Sequence, residues 1–206
     1  MVTPAAFWDK VAAKYDRKTV KGPNYAARID RAAKWIGPDA VVLDVGCAGG
    51  QITLDLAEHV RKITGIDLSP KLIGFAEDRR REQGVANASF KVAMPDDPSL
   101  EAGSFDAITA YSVLHLVDDQ LAVLKRFHEL LKPGGVLIAE IPRKEDIGLH
   151  FRTLIKLMTA LGKAPIVHLY PHATHESMFS EASFAIQESR IYNPKSLNTS
   201  YLAMRD

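Results

Sequence analysis

The chain has 206 residues and a formal net charge of +1, and 47% of its residues are hydrophobic. This length predicts one domain with a sizeable core, and the balanced charge excludes a global field that would gather nucleic acid or an anionic membrane. The single cysteine, Cys47, excludes an intrachain disulfide framework. The early and frequent charges of the N-terminal stretch are not typical of a secretory leader, and the sequence has no uncharged apolar run of about 18 residues. We therefore expect a cytoplasmic protein without a membrane span.

Strand-like and helix-like segments alternate over the first two thirds of the chain. The predicted helices are 5–18, 25–36, 51–60, 70–84 and 118–131. The predicted strands are 40–45, 62–67, 88–93, one within 104–113, and 136–141. Ser69 and Pro70 are typical of an N-cap and a first helical residue. Strands alternating with helices at this spacing predict a parallel sheet that is covered on both faces.

The last third of the sequence has a different pattern. A long apolar helix is predicted over 146–162, followed by a polar stretch at 168–183. Two strand-like runs, 184–192 and 199–204, are separated by a short loop and should form an antiparallel hairpin at one edge of the sheet. We therefore divide one domain into four parts, which are an N-terminal helical cap (1–36), a ligand-binding core (40–141), a lid helix and loop (146–181) and a C-terminal hairpin (184–205).

The stretch "VLDVGCAGG" at 42–50 predicts a buried strand that ends in a glycine-rich turn. Such a turn lets a ligand approach the backbone close to a helix N-terminus. The dinucleotide fingerprint Gly-x-Gly-x-x-Gly does not match, because Ala48 and Gln51 occupy the positions of its second and third glycines.

The same turn resembles the first motif of the class I S-adenosylmethionine-dependent methyltransferases, an acidic residue followed by Gly-x-Gly-x-Gly. Here the motif is Asp44, Gly46, Ala48 and Gly50. "GIDLSP", "SFDAITAYSVLHLV" and "LLKPGGVLIAEIP" are similar to later blocks of the small-molecule branch of that family, the methyltransferase type 11 or ubiquinone-biosynthesis-like enzymes. The resemblance spans about residues 5–141. It implies a Rossmann-like α/β fold, doubly wound, with strand order 3-2-1-4-5-7-6 and strand 7 antiparallel. It also implies S-adenosylmethionine as cofactor and S-adenosylhomocysteine as product.

The resemblance assigns roles to several residues. Asp44 would attract the ammonium of the methionine tail, directly or through water, and Asp67 would accept both ribose hydroxyls. Tyr111 and Ser112 would lie beside the methionine part, and Tyr15 would either close over the tail or pack in the core. The predicted cofactor residues are Tyr15, Asp44, Gly46, Cys47, Ala48, Gly50, Asp67, Leu68, Met94, Pro95, Asp96, Tyr111 and Ser112.

The sequence departs from the family at the adenine end. Where the family usually has an aspartate after the third strand, this chain has Met94, and Pro95 lacks the usual backbone donor. Met94 could still pack on the adenine face, and Asp96 could reach the adenine amino group.

Histidines supply the candidates for proton transfer. His115 follows the fourth strand and is the catalytic candidate, as a base for an acceptor hydroxyl or amine; alternatively, it orders the loop or contacts the cofactor. His168, His172 and His175, with Tyr170, match no recognised metal spacing. We expect no metal site, and these residues would line the acceptor pocket or be solvated.

Three functions compete at this point. The first is methylation of a small, partly apolar molecule beneath the lid helix, by a monomer or homodimer. A protein or RNA methyltransferase is the second, although residues 110–113, Ala-Tyr-Ser-Val, differ from the Asp/Asn-Pro-Pro-aromatic motif of enzymes that methylate base amino groups, and no nucleic-acid partner is expected. The third is a non-catalytic S-adenosylmethionine-binding protein on the same fold.

Overall fold

The structure, a computed structural model, describes residues 3–18, 25–192 and 198–206. Its helices are α1 (Pro4–Lys18), α2 (Tyr25–Ile36), α3 (Gln51–Ala57), α4 (Pro70–Gln83), α5 (Gln120–Leu130), α6 (Leu149–Ala160) and α7 (His172–Glu181). Its strands are β1 (Val41–Val45), β2 (Lys62–Asp67), β3 (Ala88–Val92), β4 (Phe105–Tyr111), β5 (Leu131–Pro142), β6 (Phe184–Arg190) and β7 (Asn198–Arg205). Short 3-10 turns cover Leu114–Leu116 and Lys144–Asp146.

All seven strands form one sheet in the order β3-β2-β1-β4-β5-β7-β6. The pairs from β3 to β5 are parallel, whereas β7 is antiparallel to both β5 and β6. The predicted fold class and strand order are confirmed. Because β2 and β3 lie on one side of β1 while β4 and β5 lie on the other, the carboxyl ends of β1 and β4 flank the topological switch point, where ligands bind in sheets of this kind.

Hydrophobic side chains cover both faces of the sheet. On one face Leu43, Ile108 and Leu137 pack with residues of α5 and α7, including Phe127 and Phe179. The other face carries a second cluster that includes residues of α2 and α3. The buried strands are continuous apolar runs because side chains on both faces are removed from water, as in other parallel sheets.

The start of α4 agrees with its predicted signals. The Ser69 hydroxyl accepts a hydrogen bond from the Leu72 N–H at 3.2 Å, and Pro70 occupies the first helical position. Gly84 ends the helix in the left-handed conformation, with a φ of 67°. The N-cap at Ser69, two residues after β2 ends at Asp67, fixes where α4 begins.

Several predicted boundaries were wrong. β5 begins at Leu131 rather than 136, because Phe105 of β4 already pairs with Leu131. The register between β4 and β5 then shifts, so that Ala107 pairs with Val136 beyond the glycine turn. α5 begins at Gln120, since Asp119 is its N-cap. α6 is shorter than predicted, because 144–146 form a separate 3-10 turn. The predicted hairpin is confirmed, with a bulge in β6. Residues 19–24, between the first two helices, and the loop at 193–197 lie outside the described residues.

Candidate functional site

The glycine turn between β1 and α3 is held in conformations that few side chains tolerate. Gly46 has a φ of 70° and Ala48 a φ of 48°, both in the left-handed region that favours glycine. The Gly46 N–H donates to the Ile66 carbonyl at 2.8 Å, which ties the turn to β2. A Cβ atom on Gly46 would lie 2.7 Å from Cγ2 of Val113. The turn therefore also packs against the segment that follows β4.

Asp67, the predicted ribose residue, is physically joined to this turn. Its Oδ2 accepts a hydrogen bond from the Ala48 N–H at 3.1 Å, and its Oδ1 accepts from the Ser69 N–H at 2.9 Å. Burial raises the pKa of the Asp67 carboxyl, and these backbone hydrogen bonds oppose that rise. Asp67 is half-buried, and a carboxylate has lone pairs for further donors, so it can also accept from ligand hydroxyls.

Asp44 is more deeply placed than its predicted role suggests. It is 2% exposed, and its two oxygens accept hydrogen bonds from Thr53 Oγ1 at 2.5 Å and Thr109 Oγ1 at 2.7 Å. Burial raises the pKa of the Asp44 carboxyl to about 6, although both threonine hydroxyls oppose the rise. Neither threonine was predicted from the sequence, although each places a hydroxyl at an otherwise apolar position, Thr53 in α3 and Thr109 in β4.

Cys47, the remaining side chain of the turn, is 8% exposed. Burial raises the pKa of the Cys47 thiol, and the nearby carboxylates of Asp44 and Asp67 raise it further. The thiol is therefore protonated at neutral pH and is a poor nucleophile. Cys47 therefore fills the turn as a small buried side chain, and its predicted contact with the cofactor stays a prediction.

Helix α1 closes one side of the turn. Tyr15 is 41% exposed and packs edge-on against Trp8, with ring centroids 5.3 Å apart. Asp16 pairs with Arg79 at 3.0 Å, and Arg79 also donates to the Gly49 carbonyl. Tyr15 therefore packs on Trp8 at the surface and not in the core, and its closing over the methionine tail stays a prediction. The Asp16–Arg79 ion pair was not predicted.

The predicted adenine end is the most open part of the site. Met94 is 47% exposed and Asp96 is exposed, while the Pro95 carbonyl accepts from Arg126 Nε at 3.1 Å. Hydrogen bonds from Ser99 and then Lys91 lower the pKa of the Asp97 carboxyl to about 2. Asp97 is therefore engaged within its own loop, and Asp96 is the exposed carboxylate on this segment.

The segment after β4 connects the turn to β5 and β7. Ser112 has a φ of 57°, its N–H donates to the Glu140 carbonyl at 2.9 Å, and its hydroxyl accepts from Asn198 Nδ2 at 2.8 Å. The Tyr111 hydroxyl is buried and has no hydrogen-bond partner among the described residues. Burial raises the pKa of Tyr111 well above its usual range, so the phenol is protonated.

A part-buried ion pair lies beside this segment and was not predicted from the sequence. Arg28 Nε of α2 donates to Glu140 Oε1 at 2.7 Å, and the Glu140 side chain is 2% exposed. Arg31 Nη1, one turn further along α2, donates to the Ser200 hydroxyl at 2.5 Å. The available signal was Glu140 itself, a lone charge within the apolar run "VLIAEI".

His115 lies in the 3-10 turn after β4, as its position in the sequence predicted. Its carbonyl accepts from the His168 N–H at 2.8 Å. Burial lowers the pKa of the His115 ring to about 4, with a smaller contribution from nearby His175. Its Nδ1 is buried and has no hydrogen-bond partner in the described parts of the chain. The ring is therefore neutral at physiological pH and can accept a proton.

The other three candidate histidines, His168, His172 and His175, differ in their contacts and in their burial. His168 Nε2 lies 3.2 Å from Asp118 Oδ1, and His172 Nδ1 lies 3.5 Å from Glu176 Oε2. His175 is 1% exposed and packs edge-on against Tyr201, at 6.2 Å between ring centroids. The expectation of a solvated residue is wrong for His175. Within the ranges that the structure describes, no group of three or more His, Cys, Asp or Glu side chains could hold a metal ion.

The residues at this edge fit a ligand that carries hydroxyls and a cationic end. Asp67 offers a half-exposed carboxylate at the end of β2, and the buried carboxyl of Asp44 lies behind the adjoining turn.

No described helix is long and apolar enough to cross a membrane.

Comparison with known proteins supports the resemblance seen in the sequence. Residues 36–188 match a family model described as a methyltransferase domain. The chain is 33% identical over 150 residues to the ubiquinone biosynthesis O-methyltransferase of Xanthomonas campestris pv. campestris. That match covers 72% of this chain and 59% of the relative, so the chain spans well under two thirds of the length of the curated relative.

Solved structures share the fold. The magnesium protoporphyrin IX methyltransferase of Synechocystis PCC 6803, with bound SAH, superposes with a TM-score of 0.75 at 17% identity and covers 98% of both chains. An S-adenosylmethionine-dependent methyltransferase of Mesorhizobium loti superposes with a TM-score of 0.75 at 19% identity, over 89% of this chain and 98% of the other. At these identities the likeness establishes the fold alone.

Proposed function

Since this chain belongs to the class I S-adenosylmethionine-dependent methyltransferases, we propose that it methylates a small, partly apolar molecule. The observation that carries the proposal is the hydrogen bond from Ala48 to Asp67, which joins the glycine turn to the carboxylate of β2. The name of the relatives supports a hydroxyl oxygen as the acceptor atom. The cytoplasmic location and the oligomeric state stay predictions.

In this proposal Asp67 accepts the ribose hydroxyls, and the turn at 46–50 holds the methionine tail. Asp44 would act from behind the turn, through its charge or an intervening water, because both of its oxygens already accept from threonines. When bound, S-adenosylmethionine supplies a methyl group on a positively charged sulfur whose thioether is a good leaving group. The chain then has to align the acceptor and exclude water.

His115 is the proposed base. As the acceptor oxygen forms its bond to the methyl carbon, the hydroxyl proton would pass to a ring nitrogen of His115, which is neutral at physiological pH. A ring with a pKa of about 4 is a weak base, so proton transfer favours an acidic hydroxyl. A phenol, with an ordinary pKa of about 10, suits such a base better than an aliphatic alcohol. We therefore propose a phenolic acceptor.

The alternative is a non-catalytic S-adenosylmethionine-binding protein. Its support is the adenine end, where Pro95 cannot donate a backbone hydrogen bond and Met94 replaces the usual carboxylate. Such a protein would bind the cofactor and methylate no acceptor, so binding and turnover must be measured separately.

The cofactor site is tested by calorimetric titration with S-adenosylhomocysteine and, separately, with NAD. We expect binding of the homocysteine compound and none of NAD. Asp67→Ala should weaken that binding at least about tenfold, since charge-assisted hydrogen bonds are the strong ones. Asp78→Ala removes an exposed carboxylate from α4 and should leave affinity unchanged. Preference for NAD, or equal effects of the two substitutions, would reject the assignment.

The acceptor is tested with a panel of phenols, aliphatic alcohols, amines and thiols, with methylated product detected by mass spectrometry. We expect turnover on phenols, and His115→Gln should lower kcat by about 10²-fold or more. His59→Gln, which changes an exposed histidine in the loop after α3, is the matched control. Unchanged kcat in His115→Gln would leave that residue with a positioning role only, and turnover on amines alone would reject oxygen as the acceptor atom.

A further inference from the structure

Helix α6 presents an apolar face to solvent. Phe151 is 52% exposed, Leu154 49%, Leu157 56% and Leu161 58%, and Ile166, just beyond the helix, is 57% exposed. No residue of α6 is buried. Scattered exposed apolar residues are ordinary, but a contiguous exposed patch marks an interaction surface.

Helix α6 has a half-buried inner face and an exposed outer face, and the apolar residues named above lie mainly on the outer one. Arg152, Ile155 and Met158 are half-buried and follow one another at three-residue spacing. Leu154, Leu157 and Leu161, at spacings of three and four, lie on a different face of the helix. The predicted lid could use the inner face, and the outer apolar face is left without a partner among the described residues.

The charged residues of the stretch from 147 to 175, which contains α6, all carry the same sign. No aspartate or glutamate occurs between Asp146 and Glu176, whereas Arg152, Lys156 and Lys163 fall in that stretch. Since the whole chain has a formal net charge of only +1, the rest of the chain is net acidic. Lys156 and Lys163 are exposed. Beside the stretch, Glu145 accepts a hydrogen bond from the His172 N–H, and Glu176 Oε2 lies 3.5 Å from His172 Nδ1.

We propose that the outer face of α6 docks the protein on the surface of an anionic bilayer. Leu154, Leu157 and Leu161 would enter the boundary between headgroups and acyl chains, and Lys156 and Lys163 would face lipid phosphates. A helix that lies in the interface combines an apolar face with flanking Lys or Arg. The 12 residues of α6 are far short of the roughly 20 needed to span a bilayer.

A second copy of this chain is a poorer occupant. A two-fold contact places the same patch on both sides of the interface, which would bring Lys156 and Lys163 of each copy close together with no acidic residue on the face to pair with them. An anionic surface instead neutralises both lysines. Docking goes beyond the proposed methyl transfer, and it would bring the protein to the phase in which partly apolar acceptors dissolve.

Vesicle flotation tests the inference on the full chain. Vesicles of phosphatidylcholine alone are compared with vesicles that also contain phosphatidylglycerol, and we expect binding at least about tenfold stronger to the anionic vesicles. The double variant Leu154→Gln/Leu157→Gln should lose about tenfold or more in partitioning. Lys156→Gln/Lys163→Gln should lose most of the preference for the anionic lipid. Val92→Gln and Lys125→Gln, exposed on β3 and α5, are the matched controls and should bind like the unsubstituted protein.

Several results would overturn the inference. Equal binding to both vesicle types would show that lipid charge does not contribute. Equal binding by the α6 variants and the controls would show that α6 is not the docking surface. A dimer in light scattering that disappears in Leu154→Gln/Leu157→Gln would assign the face to a second copy. S-adenosylhomocysteine affinity, measured on each variant, reports whether the fold is intact. Vesicle binding needs no turnover, so failure of docking is distinguishable from failure of the proposed function.

Discussion

The glycine-turn region and helix α6 are built in opposite ways. At the junction of β1 and β2, the Asp44 carboxyl is bonded to two threonines and the Asp67 carboxyl to two backbone N–H groups. In the segment after β5, α6 has no buried residue and exposes leucines and a phenylalanine. The first region is preorganised for a charged, flexible ligand, because fixed dipoles need no reorganisation when such a ligand binds. The second can vary its surface without disturbing the core.

The largest effect is expected for a glycine of the first region. Gly46→Ala would force a left-handed residue and place a Cβ 2.7 Å from Val113. We expect the free energy of unfolding to fall by about 3 kcal/mol, since backbone strain adds to overpacking, and S-adenosylhomocysteine binding to be lost. Denaturant unfolding and calorimetry measure the two effects.

Gly84→Ala is the matched control for Gly46→Ala, because it measures the cost of backbone strain in stability without the steric clash. Gly84 has nearly the same φ, 67°, and no neighbouring atom within 4 Å of an added Cβ. It should cost only about 1 kcal/mol and leave ligand binding intact. Equal losses of stability in the two variants would mean that the packing of the turn against Val113 contributes nothing.

The next effect concerns the pH dependence of stability. The pKa of Asp44 is about 6 when folded and close to 3.8 when unfolded, so the folded state binds the extra proton. The contribution of Asp44 to the free energy of unfolding is therefore fully present below about pH 4, and up to about 3 kcal/mol of it is lost as the pH rises through 6. Asp44→Asn cannot ionise, and its Tm relative to the unsubstituted protein should rise between pH 4 and pH 7.

Asp78→Asn controls for the loss of one carboxylate at an exposed position. Its Tm difference should be flat over the same pH range. A flat difference for Asp44→Asn as well would show that the buried carboxyl ionises as easily in the folded chain as in the unfolded one.

A smaller effect is expected where α2 meets β5. Arg28→Gln leaves the buried Glu140 carboxylate without its cation. We expect this to cost about 2 kcal/mol, less than the roughly 3–5 kcal/mol of a fully buried pair, because the Arg28 side chain is 28% exposed. The double variant Arg28→Gln/Glu140→Gln should recover much of that loss, and a double-mutant cycle in denaturant measures the coupling. Arg81→Gln, in an exposed pair with Asp78, should change stability by less than about 0.5 kcal/mol. Additive effects of the two α2–β5 substitutions would contradict the pairing.

The first region could largely be predicted from the sequence because its signals are local. The glycine turn, Asp67 and the Ser69-Pro70 helix start lie within 42–70, where strand ends and caps set their positions. The missing parts join residues far apart in the chain: Thr109 reaches Asp44, Arg79 reaches Asp16, and Glu140 reaches Arg28. Periodicity carries no information on such pairs. The burial of His175 was missed for the same reason, since it depends on the packing of α7 on β7.

The smallest effect is expected for the outer face of α6. Leu154→Gln/Leu157→Gln changes two residues that are 49% and 56% exposed, so little apolar surface is returned to water on unfolding. We expect the free energy of unfolding to change by less than about 0.5 kcal/mol, as for other surface substitutions. Leu137→Gln, at a fully buried position of β5, should by contrast cost several kcal/mol, because it buries an amide without partners. Denaturant unfolding measures the change in the free energy of unfolding for both variants. A large loss for the α6 variant would mean that its outer leucines support the fold, and the apolar face would then need no external partner to explain it.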